Sequence, residues 1–188
     1  MGADVIPKLT YEEFRRLPND GKRYELVRGG VHLTPAPSTR HQLVLHNLVL
    51  SLGNFVLKNS LGEVCEAPLD VRLSEETALQ PDLMFVSNKR AGIIQEEFIA
   101  GGPDLVVEIL SPSTAAHDRA TKLPIYAEAG VPEVWLIDSQ AKTAEVLKLQ
   151  GKKYFVDTTL AGDQVLASNL FPGWQLPLTD LFDFRGRF

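Results

Sequence analysis

The sequence predicts an α/β fold in which a mixed β-sheet is flanked by helices and preceded by an N-terminal β-hairpin. Two observations lead to this prediction. Residues 83–86 and 105–110 are short continuous apolar runs, which are typical of strands covered on both faces. Residues 45–56 instead repeat their apolar side chains with the period of a helix. A length of 188 residues suits one domain that spans 1–188.

Capping and turn signals define the first elements. Thr10 and Glu13 fit a capping box that starts a short helix, which is expected to end before Pro18. The segments 23–28 and 31–34 flank a Gly-Gly pair and therefore predict the β-hairpin.

A long helix is predicted at about residues 38–59, with Ser38 as its N-cap. The next segment, 69–73, alternates apolar and polar residues, which predicts a strand with one solvent-exposed face. A polar loop is expected between that strand and residue 81. The buried face of the long helix is predicted to consist of Leu45, Leu48, Val49, Leu52, Phe55 and Val56.

The second half of the chain predicts a strand, a helix and a strand in succession, at 105–110, 116–129 and 134–138. For this order, a right-handed crossover between parallel strands is the default. A further hairpin is expected at 143–149 and 153–158, and the tail that follows it is expected to be irregular.

Composition excludes several classes of protein. No apolar run approaches the roughly 20 residues that a membrane helix needs, and the N-terminus lacks a signal-peptide pattern. Cys65 is the only cysteine, which excludes an internal disulfide and a multi-cysteine zinc cluster. We therefore expect a cytoplasmic protein. The net charge of −5 weighs against tight non-specific DNA binding, although a local basic groove depends only on the residues at the contact.

Glu108 is the anomaly in the most apolar strand, because it stands between Val107 and Ile109. A carboxylate there costs several kcal/mol unless it is paired, protonated or bound to a cation. Glu108 is equally well interpreted as a residue at the strand end that faces solvent or forms an ion pair with a lysine of a helix.

Asp82 begins the other buried run, directly after Pro81. If the two strands are neighbours, Asp82 and Glu108 converge at one site. Two carboxylates that face each other repel, and a divalent cation relieves that repulsion. Oxygen ligands without Cys or His favour Mg²⁺ or Mn²⁺ over zinc.

The run Pro81-Asp82, followed after 25 residues by Glu108-Ile109-Leu110, resembles the PD-(D/E)XK signature of restriction-endonuclease-like nucleases. The likeness covers nearly the whole chain and identifies a family of bacterial endonuclease-like proteins long catalogued as a domain of unknown function. It implies a restriction-endonuclease-like fold and a metal-dependent DNA endonuclease. The segments that carry it are 23–27, 38–41, 81–83, 105–113 and 127–138.

One departure from the signature concerns its lysine, since this chain has Leu110 at that position. The resemblance implies a lysine that has migrated to the following helix, and Lys122 is the candidate. On that helix Asp118, Lys122 and Tyr126 share a face. The alternative is that Lys122 only pairs with Asp118 at the surface. The helix is expected to pack on the sheet through Ala120, Leu123 and Ala127.

In the implied mechanism, the carboxylates of Asp82 and Glu108 and the backbone carbonyl of Ile109 bind Mg²⁺ or Mn²⁺. Lys122 would orient the attacking water or neutralise charge on the phosphorane. Glu25 is a weaker candidate, as an additional acid at the metal site. It is equally well interpreted as an exposed residue of the hairpin.

Arg40 and His41 stand in the first turn of the long helix, where phosphate contacts would be natural; His41 could equally be a local hydrogen-bonding residue. The expected partner is DNA, and a homodimer or higher homo-oligomer would fit the cutting of two strands. Two other functions compete with the endonuclease. One is a catalytically weak or inactive nucleic-acid-binding or assembly module on the same fold, and the other is hydrolysis of a small phosphoester.

Overall fold

The computed structural model describes residues 8–112 and 115–186, which form an α/β structure built around two main β-sheets. The strands are β1 (Arg23–Val27), β2 (Gly30–Thr34), β3 (Gly62–Glu66), β4 (Asp70–Ser74), β5 (Thr77–Leu79), β6 (Leu83–Ser87), β7 (Phe98–Ala100), β8 (Leu105–Leu110), β9 (Glu133–Asp138), β10 (Thr143–Gln150), β11 (Lys153–Ala161), β12 (Val165–Leu166) and β13 (Leu176–Pro177). The helices are α1 (Tyr11–Arg15), α2 (Thr39–Leu48), α3 (Asn54–Lys58), α4 (Ala115–His117), α5 (Leu123–Glu128) and α6 (Leu178–Leu181). The segment Asn88–Ile93 is a 3-10 helix.

The larger sheet has the strand order β11-β10-β9-β8-β6-β3. Strands β8 and β9 are parallel, while β6 pairs with β8 in the antiparallel sense. The predicted mixed sheet and the parallel pairing across 105–138 are therefore confirmed. So is the adjacency of the two apolar runs, on which the convergence of Asp82 and Glu108 depends.

Strand β8 is apolar except for Glu108, and all six of its residues are buried. Val107 and Ile109 contribute to the core cluster that contains Leu48 of α2. Val106 and Leu110 contribute to the cluster on the other side, with Tyr126 of α5. Side chains alternate along a strand, so Glu108 faces the same side as Val106 and Leu110.

The smaller sheet has the order β2-β1-β5-β4-β7 and contains the predicted hairpin of β1 and β2. Strands β5 and β7 are each only three residues long. Part of the segment expected to be a polar loop is therefore strand β5. So short a run has too few residues to show an alternating pattern, and its pairing with β1 and β4 comes from the fold.

The predicted helix at 38–59 is present as α2 and α3, joined by a π-helical turn at Val49–Gly53. The Ser38 hydroxyl accepts a hydrogen bond from the His41 N–H at 3.2 Å, which confirms the N-cap. Likewise, the capping box of Thr10 and Glu13 is present at the start of α1.

The helix between β8 and β9 consists of α4, a π-helical turn at Asp118–Lys122, and α5. Of the expected apolar stripe, Ala127 is buried and Leu123 packs half-buried against the core, but Ala120 is exposed, so that part of the prediction is wrong. Ile125 and Tyr126 are also buried. These two large side chains remove more apolar area from water than Ala120 would.

The C-terminal tail is more ordered than the sequence predicts. Strands β12 and β13 pair there, and α6 follows them. Trp174 is buried and stacks on Trp135, with 5.6 Å between their ring centroids. Contacts with the distant β9 strand organise the tail, so its local sequence carries little signal. No helix in the described ranges is long and apolar enough to cross a membrane.

The long helix provides a matched test of the core. Leu48 is fully buried, whereas Leu57 on the same helix is 77% exposed. We expect Leu48→Ala to lower the free energy of unfolding by about 3 kcal/mol, and Leu57→Ala to change it by less than about 0.5 kcal/mol. Urea denaturation measures both values, and equal losses would contradict this packing.

Candidate active site

The candidate site forms where the pairing between β6 and β8 ends. The last pair is Leu83 with Val107, so Asp82 and Glu108 are the next residues of the two strands on that side. Asp82 continues the ladder with its side chain, since its Oδ2 accepts a hydrogen bond from the Ile109 N–H at 2.7 Å. The Ile109 carbonyl is directed to the same edge of β8, because the N–H and C=O of one strand residue point the same way.

His41 fixes the other oxygen of Asp82. Its Nε2 lies 3.0 Å from Asp82 Oδ1, and the two side chains are only 11% and 13% exposed. The position of His41 follows from the N-cap at Ser38, which orients the first turn of α2. Of the two interpretations of His41, local hydrogen bonding agrees with this contact.

Lys122 lies inside a cluster of carboxylates and is only 6% exposed. Its Nζ is 3.0 Å from Glu25 Oε1 and 3.2 Å from Glu108 Oε1. Asp118 Oδ1 is 3.5 Å away, one helical turn earlier. The alternative of a surface pair with Asp118 is therefore wrong, because both of these side chains are buried.

Two further hydrogen bonds hold the carboxylates of this cluster. The Tyr126 hydroxyl donates to Glu108 Oε1 at 2.6 Å, as expected from the face of β8 on which Glu108 lies. The Gln80 N–H donates to Glu25 Oε1 at 2.8 Å. Glu25 is buried, so the interpretation of it as an exposed hairpin residue is wrong.

Burial dominates the electrostatics of the cluster. It raises the pKa of Glu108 well above its ordinary value; Lys122 opposes this shift, while Asp118, Asp82 and Glu25 add to it. For Lys122, burial alone would lower the pKa, but the attraction of Glu108, Glu25 and Asp118 outweighs burial and raises it. With all groups ionised, three carboxylates surround one ammonium.

Several of these groups line one cavity of about 600 Å³. Asp82, Glu108, Ile109 and Lys122 all contribute to its wall. Arg40 lies at the same cavity, and its guanidinium carbon is 5.4 Å from the centroid of the Phe184 ring. Glu25 is absent from this wall and instead lines a smaller neighbouring cavity that also reaches Lys122.

The oxygen atoms around Asp82 are of the chemical type that hard divalent cations bind. Across residues 8–112 and 115–186, no three His, Cys, Asp or Glu side chains form a ready-made metal cage. The oxygen donors here are the carboxylates of Asp82 and Glu108, which already accept hydrogen bonds from protein groups, and the carbonyl of Ile109. Mg²⁺ typically takes one or two carboxylates and completes its shell with water and substrate phosphate, so this sparse set suits it.

Sequence reasoning missed Gln80 and underestimated Tyr126. Gln80 stands directly before Pro81-Asp82, and its contact with Glu25 crosses between β1 and β5. No local pattern signals such a contact. The spacing of four residues between Lys122 and Tyr126 indicated that both lie on one face of the helix. A buried Glu108 opposite that face needs a hydrogen-bond donor, and the Tyr126 hydroxyl could have been identified as that donor.

The sequence also matches a known family. A profile of the Uma2 family, described as "Putative restriction endonuclease", matches residues 11–179. The chain belongs to this family. The resemblance to endonuclease-like proteins is thereby confirmed, and the Uma2 assignment supports a nuclease function for this chain. No curated protein matches the sequence.

A solved structure has the same fold as this Uma2 chain. It is the crystal structure of a "putative nuclease belonging to DUF820" from Anabaena variabilis, with 21% sequence identity and a TM-score of 0.76. The match covers 93% of this chain and 97% of that one. The restriction-endonuclease-like fold class is therefore confirmed.

Replacing Lys122, the positive charge of this cluster, is expected to lower the stability of the fold. Lys122→Met leaves three buried carboxylates facing each other, and we expect it to lower the free energy of unfolding by about 3 kcal/mol. Arg119→Met is the control, because Arg119 lies in the same π turn but is 43% exposed in its pair with Glu145; it should cost less than about 1 kcal/mol. Equal effects in urea denaturation at neutral pH would contradict the role of Lys122 as counter-ion.

Proposed function

We propose that this chain is a divalent-cation-dependent DNA endonuclease that hydrolyses phosphodiester bonds at the cavity around Asp82, Glu108 and Lys122. The contact between the buried Lys122 ammonium and Glu108 carries the proposal. Leu110, at the signature position for lysine, is buried in the core instead. A lysine from the following helix reaches the same glutamate, as the resemblance implies, and Uma2 membership supports a nuclease.

The carboxylates of Asp82 and Glu108 and the carbonyl of Ile109 would hold Mg²⁺ or Mn²⁺. When bound, the ion would polarise the phosphodiester and lower the pKa of the attacking water. His41 and the Ile109 N–H orient Asp82 through its two oxygens. Asp82 is therefore held before any ligand arrives, which reduces the reorganisation that binding requires.

Lys122 would act as a fixed positive charge. The carboxylates of Glu108, Glu25 and Asp118 raise the pKa of Lys122 and so favour its charged ammonium. A preorganised cation stabilises the charge that builds on the phosphorane. Glu25 holds the ammonium and is itself held by the Gln80 N–H, so in this proposal Glu25 positions Lys122 rather than touching the substrate.

The proposal predicts strict dependence on metal and on Glu108. Purified protein should nick supercoiled plasmid with Mg²⁺ or Mn²⁺, and excess EDTA should abolish nicking. Glu108→Gln keeps the shape but removes the charged ligand, so the rate should fall at least about 100-fold. Gel analysis of initial rates measures this effect.

Glu63→Gln is the matched control, because Glu63 is an exposed glutamate on β3, and it should retain the wild-type rate. Equal nicking by wild type and Glu108→Gln would assign the activity to a contaminant or another site. DNA binding without cleavage on many substrates would instead support the binding or assembly module.

Lys122 should affect the chemical step more than DNA binding. In single-turnover reactions at saturating DNA, Lys122→Met should slow cleavage by about 100- to 1000-fold, since its charge matters most in the transition state. The Kd for the same duplex should change far less. Arg119→Met again serves as control, and circular dichroism verifies that each variant is folded. A large change in Kd with an unchanged rate would contradict this role.

A further inference from the structure

Arg23 is a cation of the candidate site that the proposed chemistry does not use. It is the first residue of β1, is half-buried, and lines the cavity shared by Asp82, Glu108 and Lys122. Its Nε donates to Gln80 Oε1 at 3.2 Å. Within the described ranges, no carboxylate lies at ion-pair distance from its guanidinium. Five other arginines do have such partners: Arg15 with Glu97, Arg28 with Glu128, Arg72 with Glu75, Arg90 with Asp104, and Arg119 with Glu145.

Gln80 holds the Arg23 side chain in place and is itself held by hydrogen bonds. The Gln80 Nε2 donates to Asp70 Oδ1 at 2.8 Å, and Asp70 Oδ2 accepts from the fully buried Tyr11 hydroxyl at 3.0 Å. An ionised carboxylate only accepts hydrogen bonds, so Asp70 fixes which end of the Gln80 amide faces it. The amide oxygen is thereby directed to Arg23, and the guanidinium is oriented before a ligand binds.

An arginine held through Nε keeps the N–H groups of its two terminal nitrogens for a ligand. That planar fork matches the oxygens of a phosphate, with which it forms bidentate hydrogen bonds. Because the Arg23 side chain is already ordered by Gln80, binding loses less conformational entropy than it would with a mobile arginine.

Thr34 adds a second polar group at the same place. It is the cross-strand partner of Arg23 in the hairpin and lines the same cavity. Its hydroxyl is buried, and among the described residues it has no hydrogen-bond partner. A buried hydroxyl without a partner costs free energy, and a ligand oxygen beside Arg23 would offset that cost if the hydroxyl turned toward it.

We propose that Arg23, together with Thr34, binds a backbone phosphate of the nucleic acid next to the phosphate that is cleaved. The inference rests on the proposed function for its ligand class. The carboxylates of Asp82 and Glu108 repel a phosphate until a cation is bound, whereas Arg23 attracts one in either condition. Arg23 therefore contributes to DNA binding that does not need metal.

The test measures DNA binding without catalysis. Fluorescence anisotropy of a labelled duplex in EDTA gives Kd over a salt series from roughly 50 to 200 mM. Arg23→Gln should weaken binding about tenfold and reduce the salt slope by about 0.9. Thr34→Val keeps the side-chain shape and should weaken binding less, because it removes one neutral donor. Gln80→Ala keeps the Arg23 charge but should lose part of the affinity, because the guanidinium is no longer oriented.

Arg28→Gln is the matched control, since Arg28 is an exposed arginine at the end of the same hairpin and pairs with Glu128. It should bind DNA as wild type does. Equal Kd values and salt slopes for Arg23→Gln and Arg28→Gln would overturn the subsite, as would a wild-type protein that does not bind the duplex. Binding that depends on Arg23 without metal-dependent cleavage would support the subsite and overturn only the catalytic proposal.

Discussion

The buried ammonium of Lys122 is the interaction on which the candidate site depends. It contacts carboxylates from three parts of the fold: Glu25 on β1, Glu108 on β8, and Asp118 on its own π turn. A buried charge is strongly unfavourable when its partners are missing, so each of these elements must be in place for the others to be stable. The hairpin and the helical segment that packs on the larger sheet are linked at this point, and the exposed pair of Arg28, directly after β1, with Glu128 of α5 adds a further contact between them.

The end of the β6–β8 ladder supplies the second constraint. A proline has no N–H to donate, and the backbone pairing of β6 with β8 begins only at Leu83, two residues after Pro81. The Asp82 carboxylate satisfies the Ile109 N–H in place of a backbone carbonyl. This exchange places a negative charge beside Glu108 at an edge of the sheet that opens into a cavity.

Residue 80 connects the two proposed binding functions. The Gln80 backbone N–H holds Glu25, and its side chain holds Arg23. One residue thus orients a carboxylate of the buried cluster and a cation at the cavity wall. In the proposed enzyme, a strand of nucleic acid would meet Arg23 and Lys122 in a geometry that Gln80 sets, and Asp70 and Tyr11 support Gln80 from the core of the smaller sheet.

The sequence by itself predicted the main strands and both long helical segments and singled out Asp82 and Glu108, because apolar periodicity, capping and a carboxylate in an apolar run are local signals. Lys122 became a candidate only through the family resemblance. Only the tertiary structure decided that Glu25 is buried, that Gln80 supports the site, and that Ile125 and Tyr126 face the sheet instead of Ala120. It also decided the order of the tail through the stacking of Trp174 on Trp135. These features depend on contacts between residues far apart in the chain, and whether a polar side chain is buried is set by the partners that the fold brings to it.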